Sequence, residues 1–408
     1  MKAFFNVLII SLSISSNLFC QWYSQTANTI YPLKAVYFIN ENTGFACGDN
    51  VVLITTNAGI NWNSSFLQGR NNDIFFINSS TGFICSDSGK IHKTTNTGTT
   101  WNVINSGTPN ILMRISFLNE NTGIAVGFNR TILQTTNSGI TWLSRISNLD
   151  TLNFFGCTII NQNDYIVSGT GSSIYRSTNG GIDWIHGTMG VVNPLWSSAF
   201  INDNTGWIIG CCGMYSKTND KGENWTTETY LTLGFTLYTM KFINNTTGYV
   251  CGDNGSLFRT TNQGIYWDST VTGTSEILYS LFMVNANTGW AVGNYGTILK
   301  TTNGGGTGYT IGIQPITNVI PKEFFLSQNY PNPFNPVTKI QFQIPEQGQT
   351  KLSVFDILGK KVKDFVDEEI KSGIYEVNFD GANLPSGIYF YRLQSGKYTS
   401  TKKMILIK

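Results

Sequence analysis

Short runs of alternating hydrophobic and polar residues, separated by turn residues, recur along the chain up to about residue 305. In the first such unit the runs cover residues 35–40, 45–48, 51–56 and 60–63, with Asn, Asp and Gly between them. This alternation is typical of β-strands with one buried face, and tight Asn/Gly turns join antiparallel neighbours. The pattern therefore predicts four-stranded antiparallel units.

The unit recurs at a nearly constant spacing. Each copy has an Asn or Asp anchor in the pattern T-x-N/D-x-G-x-x-W, and successive anchors are 39 to 42 residues apart. The anchors are Asn57, Asn96, Asn137, Asn179, Asp220, Asn262 and Asn303. About forty residues per four-stranded unit is the period of a β-propeller blade. Seven anchors therefore predict an all-β, seven-bladed propeller over residues 21–308.

A tryptophan follows each of the first six anchors by five residues: Trp62, Trp101, Trp142, Trp184, Trp225 and Trp267. Gly308 stands at the corresponding place after the seventh anchor, whereas Trp22 lies alone, 40 residues before Trp62. We therefore expect residues 21–25 to supply the outer strand of the last blade. Such a strand would fasten the two ends of the ring together and remove an exposed sheet edge.

The anchor segment resembles the Asp-box of bacterial neuraminidase-type repeats, most nearly in residues 218–225. In it, the Asn or Asp side chain is expected to accept turn N–H groups, the Gly to take a positive φ, and the Trp to pack across the blade. Together with the preceding F-I-N-x-N-T-G-aromatic segment, the repeat resembles that of photosystem II assembly factor-like propellers. The resemblance covers about residues 30–305 and implies the propeller fold. Nothing in the chain indicates a photosystem partner.

The last part of the chain differs in composition from the repeats. Residues 1–320 contain 14 Lys+Arg and 15 Asp+Glu, whereas the shorter segment 321–408 contains 12 and 9. We interpret residues 309–325 as a linker. Alternating runs between Lys339 and Ile407 predict six or seven strands, which form a small immunoglobulin-like β-sandwich over residues 326–408.

Motifs in this tail resemble the type A C-terminal sorting domain of the type IX secretion system. They comprise a Y-P-N-P-F-N-P opening, a later S-G-I-Y-F-Y segment and a basic C-terminal strand. The residues that carry them are Tyr330, Pro331, Asn332, Pro333, Phe334, Gly387, Tyr389, Lys402 and Lys403. The resemblance implies the type IX secretion machinery as a partner and a bacterium of the Bacteroidetes–Chlorobi type. It also implies delivery through the periplasm to the cell surface or the medium.

The start of the chain fits this route. Residues 1–20, with Lys2 before a mostly apolar run, predict a secretory signal peptide. No later stretch is long and apolar enough for a transmembrane span.

Few residues suggest chemistry. The chain has 2 His and a net charge of +2, which argues against a His-based metal or catalytic site and against a nucleic-acid partner. Cys47, Cys85 and Cys251 take one repeat position that Val or Ile fills elsewhere, so we expect them in the core. The adjacent Cys211 and Cys212 are expected in a turn, either as free thiols or as a vicinal disulfide. We expect no catalytic residue, no metal and no cofactor.

A binding surface remains as the main candidate site. Loops on a rigid scaffold commonly carry binding residues, and in propellers these are the loops that enter the inner strands and the turns between second and third strands. Here they contain Arg70, Arg114, Trp196, Tyr230 and Phe235, and Arg114 is expected to face the central channel.

The leading hypothesis is an exported, non-enzymatic propeller that binds or adheres to an unknown surface protein or glycan, or serves as a scaffold. The alternatives are a secreted sialidase-like hydrolase and an assembly factor that binds another protein.

Overall fold

The computed structural model describes residues 22–145, 152–189, 193–226, 229–232, 234–265, 267–305, 321–370, 372–381 and 384–408. The expected signal peptide and most of the expected linker lie outside these residues. The chain divides into two compact units, Met1–Gly308 and Tyr309–Lys408, and each is described by itself.

The first unit is a seven-bladed β-propeller in which each blade has four antiparallel strands. Two long strands join blades 1 and 2 into one sheet. Gly44–Thr55 combines the second and third strands of blade 1, and Asn63–Phe76 combines the fourth strand of blade 1 with the first of blade 2.

The strands follow in chain order from blade 1 to blade 7. Blade 1 starts with Leu33–Phe38, and blade 2 continues with Gly82–Ser86, Lys90–Thr94 and Asn102–Asn105. Blade 3 has Leu112–Phe117, Gly123–Gly127, Thr131–Thr135 and Leu143–Ser144; blade 4 has Phe154–Ile159, Tyr165–Gly169, Ser173–Ser177 and Ile185–Thr188. Blade 5 has Leu195–Phe200, Gly206–Gly210, Met214–Thr218 and Thr229–Tyr230; blade 6 has Leu237–Phe242, Gly248–Gly252, Leu257–Thr260 and Asp268–Ser269. Blade 7 has Leu278–Met283, Gly289–Gly293, Ile298–Thr301 and Tyr23–Gln25. Short 3₁₀ turns lie at Asp87–Gly89, Thr170–Ser172, Cys211–Gly213 and Asn294–Gly296.

Aromatic side chains lock neighbouring blades together. Phe117, at the end of the inner strand of blade 3, stacks on Phe83 of blade 2 with ring centroids 4.6 Å apart. Phe117 also meets Trp142, the tryptophan of its own blade, edge-on at 5.9 Å. The same arrangement recurs where Phe76 stacks on Phe45 and where Phe242 stacks on Trp207. The repeated phenylalanine therefore has one partner in each of two blades.

The glycine of the N-T-G turn makes room for this phenylalanine. A Cβ atom on Gly82 would lie 2.7 Å from the ring of Phe76, which is too close for a real contact. The corresponding glycines of blades 1, 3, 5 and 6 face the same phenylalanine of their own blades. Close packing of the ring thus explains why the turn requires glycine.

The anchor turns have the hydrogen bonds that the sequence predicts. In blade 5, Thr218 Oγ1 donates to Asp220 Oδ1 at 2.8 Å and accepts the Gly222 N–H at 2.9 Å. Asp220 Oδ1 also accepts the Asn224 N–H at 2.9 Å. Lys221 and Gly222 have φ values of 63° and 79°. One backbone bond, from the Lys221 N–H to the Asn204 carbonyl at 3.0 Å, ties this locally closed turn to the N-T-G turn of its blade.

The predicted fourth strand of blade 1, residues 60–63, is wrong. Residues 57–62 belong to the anchor turn, and the strand begins only at Asn63. The reason is that the Asn57 side chain draws the chain back by accepting the Asn61 N–H at 2.9 Å. The outer strand begins directly after Trp62, whose ring packs edge-on against Phe38.

The N-terminal segment completes blade 7. Tyr23, Ser24 and Gln25 pair with Lys300, Leu299 and Ile298 in antiparallel register. Trp22 is fully buried in a cluster that includes Leu257, Leu278 and Leu299. Gln25 Oε1 also accepts the indole N–H of Trp290 at 3.1 Å. The first described residues thus hold the last blade of the ring.

The second unit has two antiparallel sheets over one hydrophobic core. One sheet contains Phe325–Leu326, Val337–Ile344 and Gly373–Asp380. The other contains Lys361–Ile370, Gly348–Asp356, Gly387–Ser395 and Tyr398–Leu406. Phe342 and Leu352, from the two sheets, are both fully buried in the shared core. Among the described residues there is no helix with the length and apolar character needed to cross a bilayer.

Replacing Trp22 by Ala should lower the free energy of propeller unfolding by about 3–5 kcal/mol, because a fully buried indole would leave a cavity beside blade 7. Urea unfolding followed by tryptophan fluorescence measures the change. Tyr23→Ala is the matched control, because Tyr23 is 42% exposed on the same strand. Equal unfolding midpoints for the two variants would contradict the closure by this segment.

Replacing Asp220 by Asn should remove one source of acid sensitivity. The backbone N–H of Asn224, and then its side-chain amide, donate hydrogen bonds to Asp220 and lower the pKa of its carboxyl group. A lowered pKa stabilises the fold above the unfolded value of about 3.9, and this stabilisation is lost as pH falls through the folded pKa.

The other six anchors are Asn and do not titrate. Thermal unfolding between pH 2 and pH 7 should therefore show the wild type losing more stability in acid than Asp220→Asn. Parallel curves for the two proteins would count against the assignment.

Candidate functional site

The inner strands of the seven blades surround a central channel. Each inner strand contacts the inner strands of the two neighbouring blades, so that the seven form a closed ring. One position on each strand defines what we call the channel ring, which consists of Ala35, Asp73, Arg114, Gly156, Ser197, Thr239 and Ser280.

Polar members of the channel ring bond to the backbone of the next blade. Asp73 Oδ2 accepts the Ile115 N–H at 3.0 Å. Ser197 Oγ accepts the Met240 N–H at 3.3 Å. Thr239 Oγ1 donates to the Tyr279 carbonyl at 2.9 Å. These side chains therefore help to hold the ring closed.

Arg114 reaches across the channel from blade 3 to blade 6. Its Nη2 lies 3.3 Å from the carbonyl oxygen of Tyr238 and 3.4 Å from Thr239 Oγ1. Burial raises the pKa of Asp73, and the positive charge of Arg114 opposes that rise. Lys241 is exposed to solvent in the same channel; desolvation by the atoms around it lowers its pKa, and the charge of Asp73 opposes this shift. The channel thus contains one acidic and two basic groups that influence one another.

A β-bulge stands just before the channel ring in every inner strand, because the register shifts by one residue there. The extra residue of each bulge lies near the start of its blade's inner strand and breaks the alternation of side chains there. These residues are Lys34, Asn72, Met113, Phe155, Trp196, Tyr238 and Tyr279.

Five of these bulge residues form a continuous row of contacts, which we call the mouth arc: Phe155, Trp196, Tyr238, Tyr279 and Lys34. Phe155 is buried and the other four are half-buried. Phe155 and Trp196 stack with centroids 4.3 Å apart, and Trp196 meets Tyr238 edge-on at 5.1 Å. Tyr238 and Tyr279 are 5.3 Å apart, and Lys34 Nζ lies 3.6 Å from the ring centroid of Tyr279. The mouth arc therefore spans blades 4, 5, 6, 7 and 1.

The turns between second and third strands support the mouth arc from behind. The Tyr238 hydroxyl donates to Asp253 Oδ1 at 3.0 Å, and Asp253 Oδ2 accepts the Thr236 N–H at 2.8 Å. Burial, followed by the nearby charge of Asp253, raises the pKa of Tyr238. Tyr238 therefore stays a neutral phenol, and its position is fixed by a carboxylate.

The five predicted binding residues do not all lie together. Trp196 lies in the mouth arc between Phe155 and Tyr238, and Arg114 in the channel donates a hydrogen bond to the Tyr238 carbonyl. Arg70 is exposed on the long strand opposite Asp49, and its charge acts on Lys34 at the end of the arc. Tyr230, with 42% exposure, ends the outer strand of blade 5, and Phe235, with 36% exposure, lies on the connection to blade 6.

The sequence analysis missed Phe155, Tyr238, Tyr279 and Lys34. A signal was present, because four of these inner strands begin with Leu or Phe followed by an aromatic residue and then a small one. Aligning the repeats at that pair would have revealed the aromatic series. The pattern does not predict the bulge. Because of the bulge, one residue of the strand lies in the mouth arc and the next lies in the channel ring.

The two histidines do not form a site. His92 is buried, and burial lowers its pKa to about 4, which keeps the imidazole neutral. His186 stacks on Tyr175 at 4.6 Å. In the part of the chain that the structure describes, no group of three His, Cys, Asp or Glu residues could hold a metal ion. Cys47, Cys85 and Cys251 are fully buried, as their repeat position predicts.

The predicted sorting residues of the second unit come together at its last strand. Asn332 Oδ1 accepts the Ile405 N–H at 2.9 Å, and the Phe334 N–H donates to the Ile405 carbonyl at 2.9 Å. Phe334 is buried, whereas Tyr330 is 80% exposed beside it.

The remaining sorting residues belong to this strand, its neighbour and the opening segment. Gly387 pairs with Leu406 and Tyr389 with Met404, while Lys402 and Lys403 pair with the strand residues that follow Tyr389. The peptide bonds before Pro331 and Pro333 are cis. The opening motif is therefore bound along the C-terminal strand.

Two family profiles match the chain. The profile described as Photosynthesis system II assembly factor YCF48 matches residues 98–190, 186–261 and 227–317, which span more than half of the sequence. The profile described as Secretion system C-terminal sorting domain matches residues 328–408. No curated protein matches the chain.

Several solved structures have the same fold. YCF48 bound to D1 peptide has a TM-score of 0.60 and 18% identity, covering 69% of this chain and 95% of that chain. YCF48 from Cyanidioschyzon merolae has a TM-score of 0.56 and 17% identity, covering 69% and 98%. The WD40 β-propeller domain of Doa1 has a TM-score of 0.57 and 10% identity, covering 69% and 95%. At these identities the likeness confirms the propeller fold alone.

Replacing Arg114 by Ala should destabilise the propeller by about 1–2 kcal/mol at pH 7, because it removes cross-channel hydrogen bonds and the cation near Asp73. The loss should be smaller at pH 4. Without Arg114 the folded pKa of Asp73 rises further, so stability falls as pH increases above the unfolded value of about 3.9.

Thermal unfolding at both pH values measures this difference. Asp73→Asn in the Arg114→Ala background should abolish the pH-dependent part, since the carboxylate is gone. A pH dependence that survives in the double variant would assign it to another group.

Proposed function

The chain belongs to the family of the Photosynthesis system II assembly factor YCF48, and from that premise we propose that it is an exported, non-enzymatic binding protein whose ligand contacts the mouth arc. The observation that carries the proposal is the run of large side chains on consecutive blades at one repeat position. The framework does not require them there, because blade 2 has Asn72 and blade 3 has Met113 at the same bulge.

The second domain supports the export part of the proposal. The C-terminal residues form a type IX sorting domain, which directs a protein to the cell surface or the medium. The signal peptide of residues 1–20 is the expected route across the inner membrane. Release into the medium and attachment at the surface both agree with this route.

The first candidate ligand is a segment of another protein. The mouth arc offers aromatic rings with polar edges, and buried Tyr and Trp anchors dominate binding energy at protein interfaces. One solved relative of the propeller is bound to a peptide, and its identity to this chain supports a common fold only. A surface protein that presents an exposed segment would fit the arc and the neighbouring Arg70.

The second candidate ligand is a glycan, which the aromatic faces of the arc also favour. The hydroxyls of Tyr238 and Tyr279 donate hydrogen bonds to Asp253 and Asn294. Such rings combine an apolar surface with a polar edge. Sugars present the same combination of apolar C–H faces and hydroxyl groups.

The charged residues of the channel support a structural rather than a catalytic role. Arg114 hydrogen-bonds the backbone and a threonine of blade 6, and Asp73 accepts a backbone N–H from blade 3. A sialidase-like enzyme would need three arginines around a substrate carboxylate together with a nucleophile and an acid. We therefore propose binding without turnover.

Trp196→Ala should weaken ligand binding at least about 30-fold, because truncating an aromatic anchor of an interface costs about 2 kcal/mol or more. The full exported chain would be measured against outer-membrane proteins and a glycan array, with thermal unfolding as the check on folding. Phe66→Ala is the control, since Phe66 is 78% exposed on the outer strand of blade 1. Binding that survives Trp196→Ala, or is lost equally in both variants, would sink the mouth-arc proposal.

The same protein should not hydrolyse a fluorogenic sialoside. Turnover that disappears in Arg114→Ala would replace the binding proposal by the hydrolase.

A further inference from the structure

Cys211 and Cys212 form a pair of adjacent thiols whose sulfur atoms are in contact. They begin the 3₁₀ turn Cys211–Gly213 between the second and third strands of blade 5. The two Sγ atoms are 2.9 Å apart, which is longer than the roughly 2.05 Å of a disulfide bond. Both residues are partly exposed, so reagents in solvent can reach them.

The turn itself does not need cysteine. Blades 2, 4 and 7 form the same short turn with Asp87–Gly89, Thr170–Ser172 and Asn294–Gly296. Their central residues have φ values of 54°, 64° and 49°, compared with 63° for Cys212. Backbone geometry is therefore set by the repeat, and the two sulfur atoms are an addition particular to blade 5.

Surrounding contacts hold the pair in place. The Cys211 N–H donates to the Pro194 carbonyl at 3.0 Å, and the Leu231 N–H donates to the Gly213 carbonyl at 2.9 Å. A Cβ on Gly213 would collide with the backbone of Thr232. The pair thus stands beside the segment that leads into Trp196, while Cys47, Cys85 and Cys251 are fully buried elsewhere.

We propose that Cys211 and Cys212 are joined by a vicinal disulfide in the exported protein. The sorting domain marks the chain for export through the periplasm, outside the reducing cytoplasm, and disulfides form and persist in the periplasm and at the cell surface. This inference depends on export and not on the mouth arc as a binding site. The bond would close a small ring through the shared peptide unit and fix the turn next to the mouth arc.

The oxidant is a periplasmic protein disulfide of the thiol-oxidase class. One thiolate of the pair attacks that disulfide and forms a mixed disulfide, and the second thiolate then displaces the oxidant. One S–S bond forms within the pair and one breaks in the oxidant. The two thiols lose two protons and two electrons, and the oxidant leaves as a dithiol.

Peptide mapping tests the bond on the full chain collected from the surface or medium of a producing cell. Tryptic peptide 177–217 contains Cys211 and Cys212 and no other cysteine. After denaturing alkylation with iodoacetamide, the peptide should be lighter by two hydrogen atoms and carry no carbamidomethyl group. After reduction it should take up two. Peptide 35–70, with Cys47 alone, should carry one group in both treatments.

Cys212→Ser provides the matched variant. Serine occupies the central position of the same turn as Ser88 in blade 2, so the fold should be kept. Peptide 177–217 of this variant should carry one carbamidomethyl group without reduction. Two groups on the unreduced wild-type peptide, or a link from it to another chain, would overturn the proposal.

Discussion

The propeller depends on aromatic stacking between neighbouring blades. In blades 1, 2, 3 and 6 the phenylalanine that ends the inner strand stacks on an aromatic ring of the preceding blade, as Phe117 does on Phe83 and Phe242 on Trp207. Both of these phenylalanines also have an edge-on contact with the tryptophan of their own blade. Because these blades need a neighbour to complete this packing, they are not complete alone. The ring must therefore be closed, and the pairing of Tyr23–Gln25 with blade 7 supplies the last outer strand.

Closure also determines where function can be located. The channel-ring residues Asp73, Ser197 and Thr239 bond the backbone of adjacent blades and are committed to the ring. The bulge just before them adds one residue per blade that is outside this set of channel-ring residues. In blades 4 to 7 and in blade 1 this residue is aromatic or lysine, and the mouth arc results. Sequence variation without loss of the fold is possible there, and a binding surface needs that freedom.

Much of the propeller fold could be predicted from the sequence, because each blade contains the same local interactions. The Asn57 and Asp220 turns are local hydrogen-bond patterns that the T-x-N/D-x-G-x-x-W motif encodes, and the unmatched Trp22 indicated the missing strand. The start of the fourth strand was misplaced, because the pattern around Ile60 alternates like a strand while Asn57 bends it into the turn. The mouth arc was found only in part, through Trp196, because contacts between bulge residues of different blades are not visible in any one repeat.

Whether the exported propeller binds a partner through the mouth arc can be tested by site-specific photocrosslinking from that arc. A benzophenone amino acid would replace Tyr279 in the full chain of producing cells, and Phe66 in a parallel culture. We predict a discrete crosslinked adduct on the exported protein from position 279 and none from position 66. No adduct from position 279, or the same adduct from both positions, would contradict it.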